Sequence, residues 1–507
     1  MKSMKFLSNY EISLIKGMLN ITPRLTDQKI LAYFSRPDRD LSQRLIGQIR
    51  KGLCFNAIFP AQEAMVRDFM LIRELENGPA ATSFALRYSV PTSSQYSSPC
   101  LFLDWWPVGQ GLFSSGAIVK NGRPFFNWVY DCGTSSSLDL LYDSIKDCNR
   151  QRECLRFSRF DLVILSHFDN DHISGFSHLV QESQIRMILL PYLTPLQRLI
   201  LAIQQGVSSG DAEFGFYIDP VSYLRGLDGS DIGEIVFVLP SESDDEAPSP
   251  RIGPVPDGGV RDGEESEEVS IKFEVASPPD QAQDELFTKL VNANVHYLKR
   301  GGVISAASDW EFLPYNDASM LPKLNDQFKT NAMNLVRSIL NKPNTCKHQL
   351  DKLKKLYDKN FGKSSRNRNI ISLFIYSGPI GDYRFFCFNE RMPCPPDVRT
   401  RFAQIYTGDG ILNTKKRFQK FKNYYQPEGR LARAGFLQVM HHGAKSSWYS
   451  GLAADLSPVV SIFSSDPHNR KYRHPHPEVL RDFWDFHPVK VDKYAGFHVR
   501  GILMSEI

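Results

Sequence analysis

The 507-residue chain has no long apolar run, no Cys-x-x-Cys pair and no large net charge. No stretch approaches the roughly 18 apolar residues of a membrane span. The N-terminal segment MKSMKFLSNYEISLIKGMLN lacks the apolar core of a secretory signal. The 8 scattered cysteines form no regular ladder and, as free thiols, favour a reducing compartment. A cytoplasmic protein that does not contact a membrane is therefore expected.

Composition does not name a partner either. The net charge is only +4, with 60 basic and 56 acidic side chains, so any affinity for a polyanion must come from local patches. The length allows two or three domains, and a chain with 42% hydrophobic and 23% charged residues is an ordinary globular chain. Function must therefore be sought in motifs.

Residues 1–90 predict a small all-α domain. The apolar spacing indicates three short helices, around residues 12–19, 30–34 and 41–49. Arg44, Arg50 and Lys51 make the third helix basic. Three short helices with a basic last helix fit a helix-turn-helix unit, and they equally fit a docking or dimerisation module. Nucleic acid and a protein partner therefore both stay open for this domain.

From residue 98 onward, strand-like and helix-like runs alternate, which predicts a layered α/β domain over residues 98–500 with two insertions. The first insertion, 241–283, begins with an acidic stretch rich in Pro, Gly and Ser. So few apolar side chains cannot offset the entropy lost on ordering, and a disordered loop is predicted there. The second, 284–362, predicts a helical insertion that ends in a basic run. That run is most simply a solvated helix face.

Side chains with metal-binding atoms occur in four clusters at predicted strand ends. The clusters are His167, Asp169, Asp171 and His172; Asp409; His441 and His442; and His474 with His476. They hold six of the 12 histidines of the chain. Loops at the carboxyl ends of strands can converge above one sheet edge. Because polar side chains buried at such an edge lose hydration, a pair of divalent cations is predicted to hold them.

Each cluster also has a simpler explanation. The aspartates of the first cluster could cap a helix, and the aspartate between two glycines could form an ordinary turn. Adjacent side chains at a strand end point in opposite directions, so one of His441 and His442 is expected outside the ligand shell. The His-Pro-His-Pro segment could be a rigid loop, which leaves the choice between His474 and His476 open.

The order of these motifs resembles the metallo-β-lactamase superfamily, whose signature is HxHxDH, and more closely the HxDxDH hydrolase domain of ComEC-type DNA-uptake proteins. Seven landmarks match in order: LDWWPVGQG (103–111), VYDCG (129–133), SHFDNDHISG (166–175), NIISL (369–373), YTGD (406–409), HHGAKSS (441–447) and NRKYRHPHPEVL (469–480). The resemblance covers about residues 98–195, 230–240 and 365–490. It implies an αββα four-layer sandwich with insertions, joined here to the small all-α N-terminal domain.

The resemblance also implies two metal ions. The ligands it implies are His167 and Asp169 for one ion, Asp171 and His172 for the other, Asp409 as the bridge, and His441 or His442 together with His474 to complete the two shells. The superfamily's third-motif histidine has no clear counterpart in this chain. An aspartate stands where the superfamily has its second histidine, and its oxygen suits Mn²⁺ or Mg²⁺, with Zn²⁺ also compatible. The expected cofactors are two divalent ions, Mn²⁺ or Zn²⁺ before Mg²⁺.

By the same resemblance, the chain would be a metal-dependent phosphodiesterase or nuclease acting on DNA, in bacterial DNA processing or defence. Asp171 would orient the attacking hydroxide, and His442 would stabilise charge or protonate the leaving oxygen. Substrate contacts are expected from Lys445, Ser446, Ser447 and Asn469. Two alternatives stay open: a small-molecule ester or phosphoester hydrolase on the same fold, and a non-catalytic nucleic-acid-binding regulator. DNA against RNA, the position of cleavage and the oligomeric state are not predicted.

Overall fold

The computed structural model of the chain describes residues 7, 9–22, 24–34, 41–61, 63, 66–67, 69–70, 98–209, 211, 213–240, 269–277, 294–306, 309–317, 326–342, 346–361, 372–387, 395–469 and 471–505. Several sequence predictions lie outside these residues. They are the turn at 36–40, the acidic stretch 241–268, and parts of two landmarks (369–371 and Arg470).

The three predicted N-terminal helices are present as α1 (Asn9–Asn20), α2 (Asp27–Phe34) and α3 (Gln43–Arg50). They pack around their own apolar cluster, in which Leu14, Ile30 and Ile46 are fully buried. Arg50 of the basic third helix is paired with Asp27 inside this unit. One of the cations that suggested nucleic-acid contact therefore stabilises the packing of α2 against α3, while Arg44 and Lys51 are exposed.

The remaining chain alternates strands and helices. The strands are β1 (Cys100–Trp105), β2 (Gly111–Lys120), β3 (Arg123–Thr134), β4 (Phe160–Ile164), β5 (Gln184–Pro191), β6 (Asp231–Val238), β7 (Ile271–Lys272), β8 (Val275–Ala276), β9 (Val295–Leu298), β10 (Ile304–Ala306), β11 (Trp310–Tyr315), β12 (Phe374–Pro379), β13 (Tyr383–Cys387), β14 (Ala403–Tyr406), β15 (Ala434–Gln438), β16 (Val460–Ser464), β17 (Pro488–Val491) and β18 (Phe497–Ser505). The helices are α4 (Leu138–Cys154), α5 (Asn170–Ile173), α6 (Phe176–Gln181), α7 (Pro195–Gln205), α8 (Phe214–Ile218), α9 (Pro220–Arg225), α10 (Asp326–Asn341), α11 (Lys347–Phe361), α12 (Lys415–Tyr425), α13 (Arg430–Arg433), α14 (Leu452–Leu456) and α15 (Pro477–Asp482).

Over the described residues the strands form two sheets. A ten-stranded sheet has the order β13-β18-β1-β2-β3-β4-β5-β6-β9-β8, and an eight-stranded sheet has the order β17-β16-β15-β14-β12-β11-β10-β7. Strands β3 to β6 run parallel in the first sheet, and β14 to β17 run parallel in the second. Parallel neighbours end at the same sheet edge, so the loops after β4, β14 and β15 leave from the edges of parallel segments.

An aromatic core joins the two sheets. Trp128 of β3 stacks on Trp310 of β11 with ring centroids 5.9 Å apart, and Tyr130 stacks on Tyr406 at 4.6 Å. A second apolar cluster packs the other face of the first sheet against helices that include α4. A third packs the second sheet against α12 and its neighbours. The predicted mixed α/β class with N-terminal helices is confirmed.

The prediction of a helical insertion over 284–362 is wrong for the described residues 295–298, 304–306 and 310–315. These form β9, which joins the first sheet, and β10 and β11, which join the second. The aromatic side chains of WEFLPY at 310–315 are buried against both neighbouring layers, a setting that favours strands over helices. The predicted disordered loop 241–283 likewise contains β7 and β8, whose ladder partners lie far along the chain. Helices α10 and α11 occupy the second half and pack against α7.

Two observations bear on the predicted compartment. In the described part of the chain, no helix has the length and apolar character that crossing a lipid bilayer requires. Six cysteines are free, but Cys387 is disulfide-bonded, which corrects the expectation that the thiols are all free. Spacing along the chain does not report which sulfur atoms the fold brings within bonding distance. The cytoplasmic location stays a prediction.

Asp161 on β4 provides a pH-dependent test of the packing between β3 and β4. Its carboxylate accepts the backbone N–H of Asn127, whose side chain accepts the N–H of Asp161 in return. Burial raises the pKa of Asp161 to about 6, from 3.8. Because the folded pKa lies above the unfolded one, the free energy of unfolding is highest below pH 4 for this group and decreases as pH rises through 6, by about 3 kcal/mol in total.

Replacing this carboxylate by an amide removes the charge and keeps an acceptor for Asn127. We expect D161N to unfold at a higher temperature than the native chain at pH 7, with a difference that shrinks toward pH 4. Thermal melts at matched pH values measure this, with D231N, at an exposed position of β6, as the control. A difference that grows toward acid would contradict the assignment.

Candidate metal centre

The predicted clusters meet at one place between the two sheets. The loop after β4 carries the first cluster, and the loops after β14 and β15 carry Asp409 and the His441–His442 pair. Oδ2 of Asp409 lies 3.7 Å from Nε2 of His167, although these residues belong to different sheets. The convergence that the strand-end positions predicted is therefore present.

The carboxylate of Asp409 lies between two pairs of imidazoles. Its Oδ1 is 3.2 Å from Nε2 of His172 and 3.4 Å from Nε2 of His442. Its Oδ2 is 3.3 Å from Nε2 of His441 and 3.7 Å from Nε2 of His167. Each oxygen of one carboxylate thus faces its own pair of nitrogens, which is the arrangement expected of a bridging ligand.

His441 and His442 both point to this carboxylate, so the two side chains do not diverge as expected. Only His442 belongs to a set of side chains whose ligand atoms lie within 4.8 Å of one another, and which of the two is a ligand stays a prediction. The expected divergence assumed the alternation of an extended strand. The two residues instead have φ values of 49° and 56°, in the left-handed region, within a tight turn at Met440–Gly443. Two successive left-handed residues turn both side chains to the same side, at a cost in backbone strain that the surrounding packing must offset.

The other two aspartates of the first cluster flank this core. Oδ2 of Asp171 is 3.2 Å from Nε2 of His442, and Oδ2 of Asp169 is 4.0 Å from Nε2 of His167. Three sets of side chains have ligand atoms within 4.8 Å of one another: His167, His172 and Asp409; Asp171, His172 and His442; and His167, Asp169 and Asp171. These residues could hold more than one cation.

The Nδ1 atoms of the four histidines are held by neighbouring groups. The contacts are His172 to Asp131 Oδ2 at 2.7 Å, His442 to the Ser464 carbonyl at 2.6 Å, His167 to Ser166 Oγ at 2.8 Å, and His441 to Ser447 Oγ at 3.0 Å. A carboxylate or carbonyl only accepts, so Nδ1 of His172 and of His442 carries the proton. The hydroxyl of Ser166 donates to Asp131 and therefore accepts from His167. In the neutral form of each of these three rings, Nε2 keeps its lone pair for a ligand.

Two of these Nε2 atoms are buried without a hydrogen-bond partner among the described residues. They are Nε2 of His167 and Nε2 of His442. A buried polar atom without a partner is costly, and the lone pairs here face ionised carboxylates that cannot donate to them. Divalent cations would satisfy the nitrogens and the carboxylates together, so the donor set fits the implied ions.

The protonation of the cluster has opposing causes. Burial lowers the pKa of His167 to about 3 and keeps this ring neutral. Burial also disfavours the charged forms of His172 and Asp171, but neighbouring opposite charges outweigh it. The carboxylates of Asp131 and Asp409 raise the pKa of His172 well above its usual value, and His442 with His172 lowers the pKa of Asp171 to about 2. These two carboxylates therefore favour the protonated form of His172.

Asp131 contacts the histidine cluster directly, and sequence reasoning gave it no role. The VYDCG landmark contained it, but its role became visible only through its contacts. Its carboxylate is fully buried, accepts from the N–H and hydroxyl of Ser166 at 2.6 Å each, and accepts from Nδ1 of His172. Asp131 thereby orients two of the histidines through one side chain.

If the centre holds the predicted divalent ions, D131N is expected to bind them about 10- to 100-fold more weakly, because an amide can accept on one atom only and must leave Ser166 or His172 without its partner. Competition against a chromophoric chelator measures this affinity. D143N, on the exposed face of α4, is the matched control and should bind as the native chain does. Equal affinity in D131N and the native chain would show that Asp131 does not orient the ligands.

His474 lies beside the centre but belongs to none of the three ligand sets. Its ring centroid is 5.7 Å from that of His441 and 6.2 Å from that of His442. Its Nδ1 faces Nε2 of Gln110 at 3.4 Å, and the neighbouring His476 accepts the backbone N–H of Lys445. The predicted ligand role of His474 thus has no direct geometric support.

The predicted substrate residues fall into two groups. Ser447 is buried and contacts His441, and Asn469 accepts the N–H groups of Lys471 and Tyr472 within its own loop, so both have structural contacts. Lys445 and Ser446 are exposed next to the centre, with Lys445 paired to Glu478 at 2.9 Å. Of the four predicted residues only these last two are exposed, and Lys445 would have to leave its ion pair with Glu478 to contact a substrate.

No family model matches the chain, and no curated protein matches it significantly. The resemblance to ComEC-type proteins is therefore carried by the seven landmarks and stays a hypothesis.

Proposed function

We propose that this chain is a metal-dependent hydrolase with the metallo-β-lactamase fold. The four-layer αββα order is supported by the aromatic core between the two sheets and by the helix-containing clusters on their outer faces. The observation that carries the activity is Asp409, whose two oxygens each face a separate pair of imidazole nitrogens. The mixed nitrogen and carboxylate donors suit Mn²⁺ or Zn²⁺ better than Mg²⁺, which prefers oxygen ligands.

Bound divalent ions would supply Lewis-acid chemistry, activating water at neutral pH and stabilising negative charge on the substrate. The chain's own residues set the direction of attack. The side chains of Asp171 and His441 are 16% and 22% exposed, which makes them the open side of the cluster. Asp171 stays ionised because His442 and His172 lower its pKa, so it can accept a hydrogen bond from a water molecule and orient it.

His442 is better suited to holding a ligand than to delivering a proton. Its side chain is 1% exposed, its Nδ1 donates to the Ser464 carbonyl, and its Nε2 faces Asp171 and Asp409. A leaving oxygen on the open side could reach neither nitrogen. Of the two roles predicted for His442, we therefore favour stabilisation of charge through the ligand shell.

We propose a phosphodiester of nucleic acid as the substrate. Lys493 lies 3.5 Å from Asp466, next to the Gln110 contact with His474, and its ammonium group is 5.1 Å from the ring of Tyr494, which is 77% exposed. Lys471 lies over the ring of Tyr472 in the same way. Tyr472 is partly buried, so Lys493 and Tyr494 carry the argument. A cation beside an exposed aromatic ring suits a chain of phosphates and bases better than an uncharged ester. The preference for DNA over RNA comes from the resemblance.

The test uses purified protein that is stripped by a chelator and reloaded with Mn²⁺, Zn²⁺ or Mg²⁺. Labelled single- and double-stranded DNA and RNA are the substrates, with bis(p-nitrophenyl) phosphate as a small phosphodiester. The double variant D171A/H172A is expected to be inactive. The double variant H348A/D351A, which removes the same residue types from an exposed face of α11, should retain activity.

The proposal would be contradicted if the native chain cleaved no substrate with any of the three metals. Equal cleavage by D171A/H172A and the native chain would contradict it as well. Hydrolysis of the small diester without cleavage of any nucleic acid would favour the small-molecule alternative. Binding of nucleic acid without hydrolysis of any substrate would favour the non-catalytic regulator.

A further inference from the structure

His474 differs from the four histidines of the centre in the group that faces its Nδ1. Around the centre, the Nδ1 partners of His172 and His442 are acceptors, so in the neutral form of each ring Nε2 has no proton. The Nδ1 of His474 instead faces the amide nitrogen of Gln110 at 3.4 Å. An amide nitrogen donates and cannot accept, so the proton must sit differently on this ring.

The direction of the Gln110 amide is determined by the backbone. Gln110 is fully buried, and its Oε1 accepts the backbone N–H of Asp466 at 3.3 Å. A backbone N–H can only donate, so the oxygen of the amide must face Asp466 and its nitrogen must face His474. Asp466 is held in turn by the N–H of His468 and by Lys493. The backbone N–H of Asp466 therefore determines how the Gln110 amide is oriented, and that amide determines which group faces the imidazole of His474.

We propose that neutral His474 carries its proton on Nε2 and donates a hydrogen bond from it to a phosphate oxygen of the substrate, with Gln110 as the positioning residue. A protonated Nε2 cannot bind a cation, which accounts for the position of His474 outside the three ligand sets. Within the described residues, the ring makes its only hydrogen bond to Gln110, so Nε2 is free to donate. The hydrogen bond to a substrate phosphate rests on the proposed function. The position of the proton on His474 does not depend on that function.

The tautomer is tested by NMR on protein with ¹⁵N-labelled histidine, loaded with diamagnetic Zn²⁺. The His474 signals are identified by their loss in H474Q, and we expect the proton on Nε2. In Q110E the side chain offers only acceptors, so the proton should appear on Nδ1. Titration with inorganic phosphate should shift the Nε2–H signal of the native chain and leave the exposed His468 unchanged. An unprotonated or zinc-bound Nε2 in the native chain would overturn the proposal, whether or not the protein is a hydrolase.

Metal content and kinetics separate a donor from a ligand. H474A should keep the metal stoichiometry of the native chain and lose about 10- to 100-fold in kcat/KM, the effect of removing one hydrogen bond to a charged group. H474Q should recover part of this loss because its amide N–H can donate, and H468A should behave as the native chain. Loss of a metal equivalent in H474A, or equal kcat/KM in H474A and the native chain, would overturn the role of His474. If the native chain hydrolyses no phosphodiester, the proposed function fails, and the NMR result still decides the tautomer.

Discussion

The variant D409N is expected to lose the proposed metal-dependent phosphodiester hydrolysis by about 10²- to 10⁴-fold, because stabilisation of the transition state by bound ions would contribute several kcal/mol. An amide keeps the shape of the side chain but presents one acceptor where the native carboxylate presents two. One pair of histidines, His172 with His442 or His167 with His441, then faces an N–H₂ group. At least one cation should therefore be lost.

Elemental analysis of reloaded protein and the initial rate on labelled DNA measure this effect together. A third measurement does not depend on activity: metal ions that bind only the folded state raise the thermal midpoint, and this rise should shrink in D409N. The control is D228N, an exposed position of no assigned role. Native metal content with native activity in D409N would remove the central support for a bridged centre.

The second large effect concerns stability. Glu311 of β11 and Arg430 at the start of α13 form a two-pronged ion pair, with Nε to Oε1 at 2.9 Å and Nη2 to Oε2 at 3.0 Å. Neither side chain has any exposed surface. R430M should destabilise the fold by about 3–5 kcal/mol, because it removes the cation that pairs with the buried carboxylate of Glu311. The urea dependence of unfolding, followed by tryptophan fluorescence, measures the loss.

Two further variants distinguish the effect of leaving one charge buried alone from the effect of removing an ion pair as such. The double variant E311L/R430M should recover most of the stability, since apolar replacement of a buried pair is often neutral or better, and one nitrogen of Arg430 is already buried without a partner among the described residues. K299M breaks the exposed pair with Glu274 and should cost less than about 1 kcal/mol. If R430M were as mild as K299M, the position of β11 in the second sheet would be in doubt.

The strand-end clusters could be predicted because their signal is local. The run 162–165 is apolar and its polar neighbours follow at once, and the same change occurs before Asp409 and His441. Such a change marks the edge of a buried strand wherever that strand lies. The side chains at these edges come together as expected, although their roles as ligands stay predictions.

Other features could not be predicted because they depend on partners far along the chain. Strands β9, β10 and β11 form because two sheets offer them ladders, and their own pattern was not distinctive enough to exclude helices. The contact of Asp131 with His172 is equally nonlocal, since these residues are 41 positions apart along the chain. In each case the deciding group is more than 20 residues away or belongs to another element.

The linear order of residues was sufficient for the α/β class, the N-terminal helices and the set of side chains able to bind cations, because each of these follows from short-range alternation of polar and apolar residues. The tertiary structure decided which ring nitrogen of a histidine carries the proton. Asp131, Ser464 and Gln110 lie in separate segments, and contact with them determines where the proton sits on His172, His442 and His474. A proton's position depends on the atom facing it, and the fold brings that atom from elsewhere in the chain.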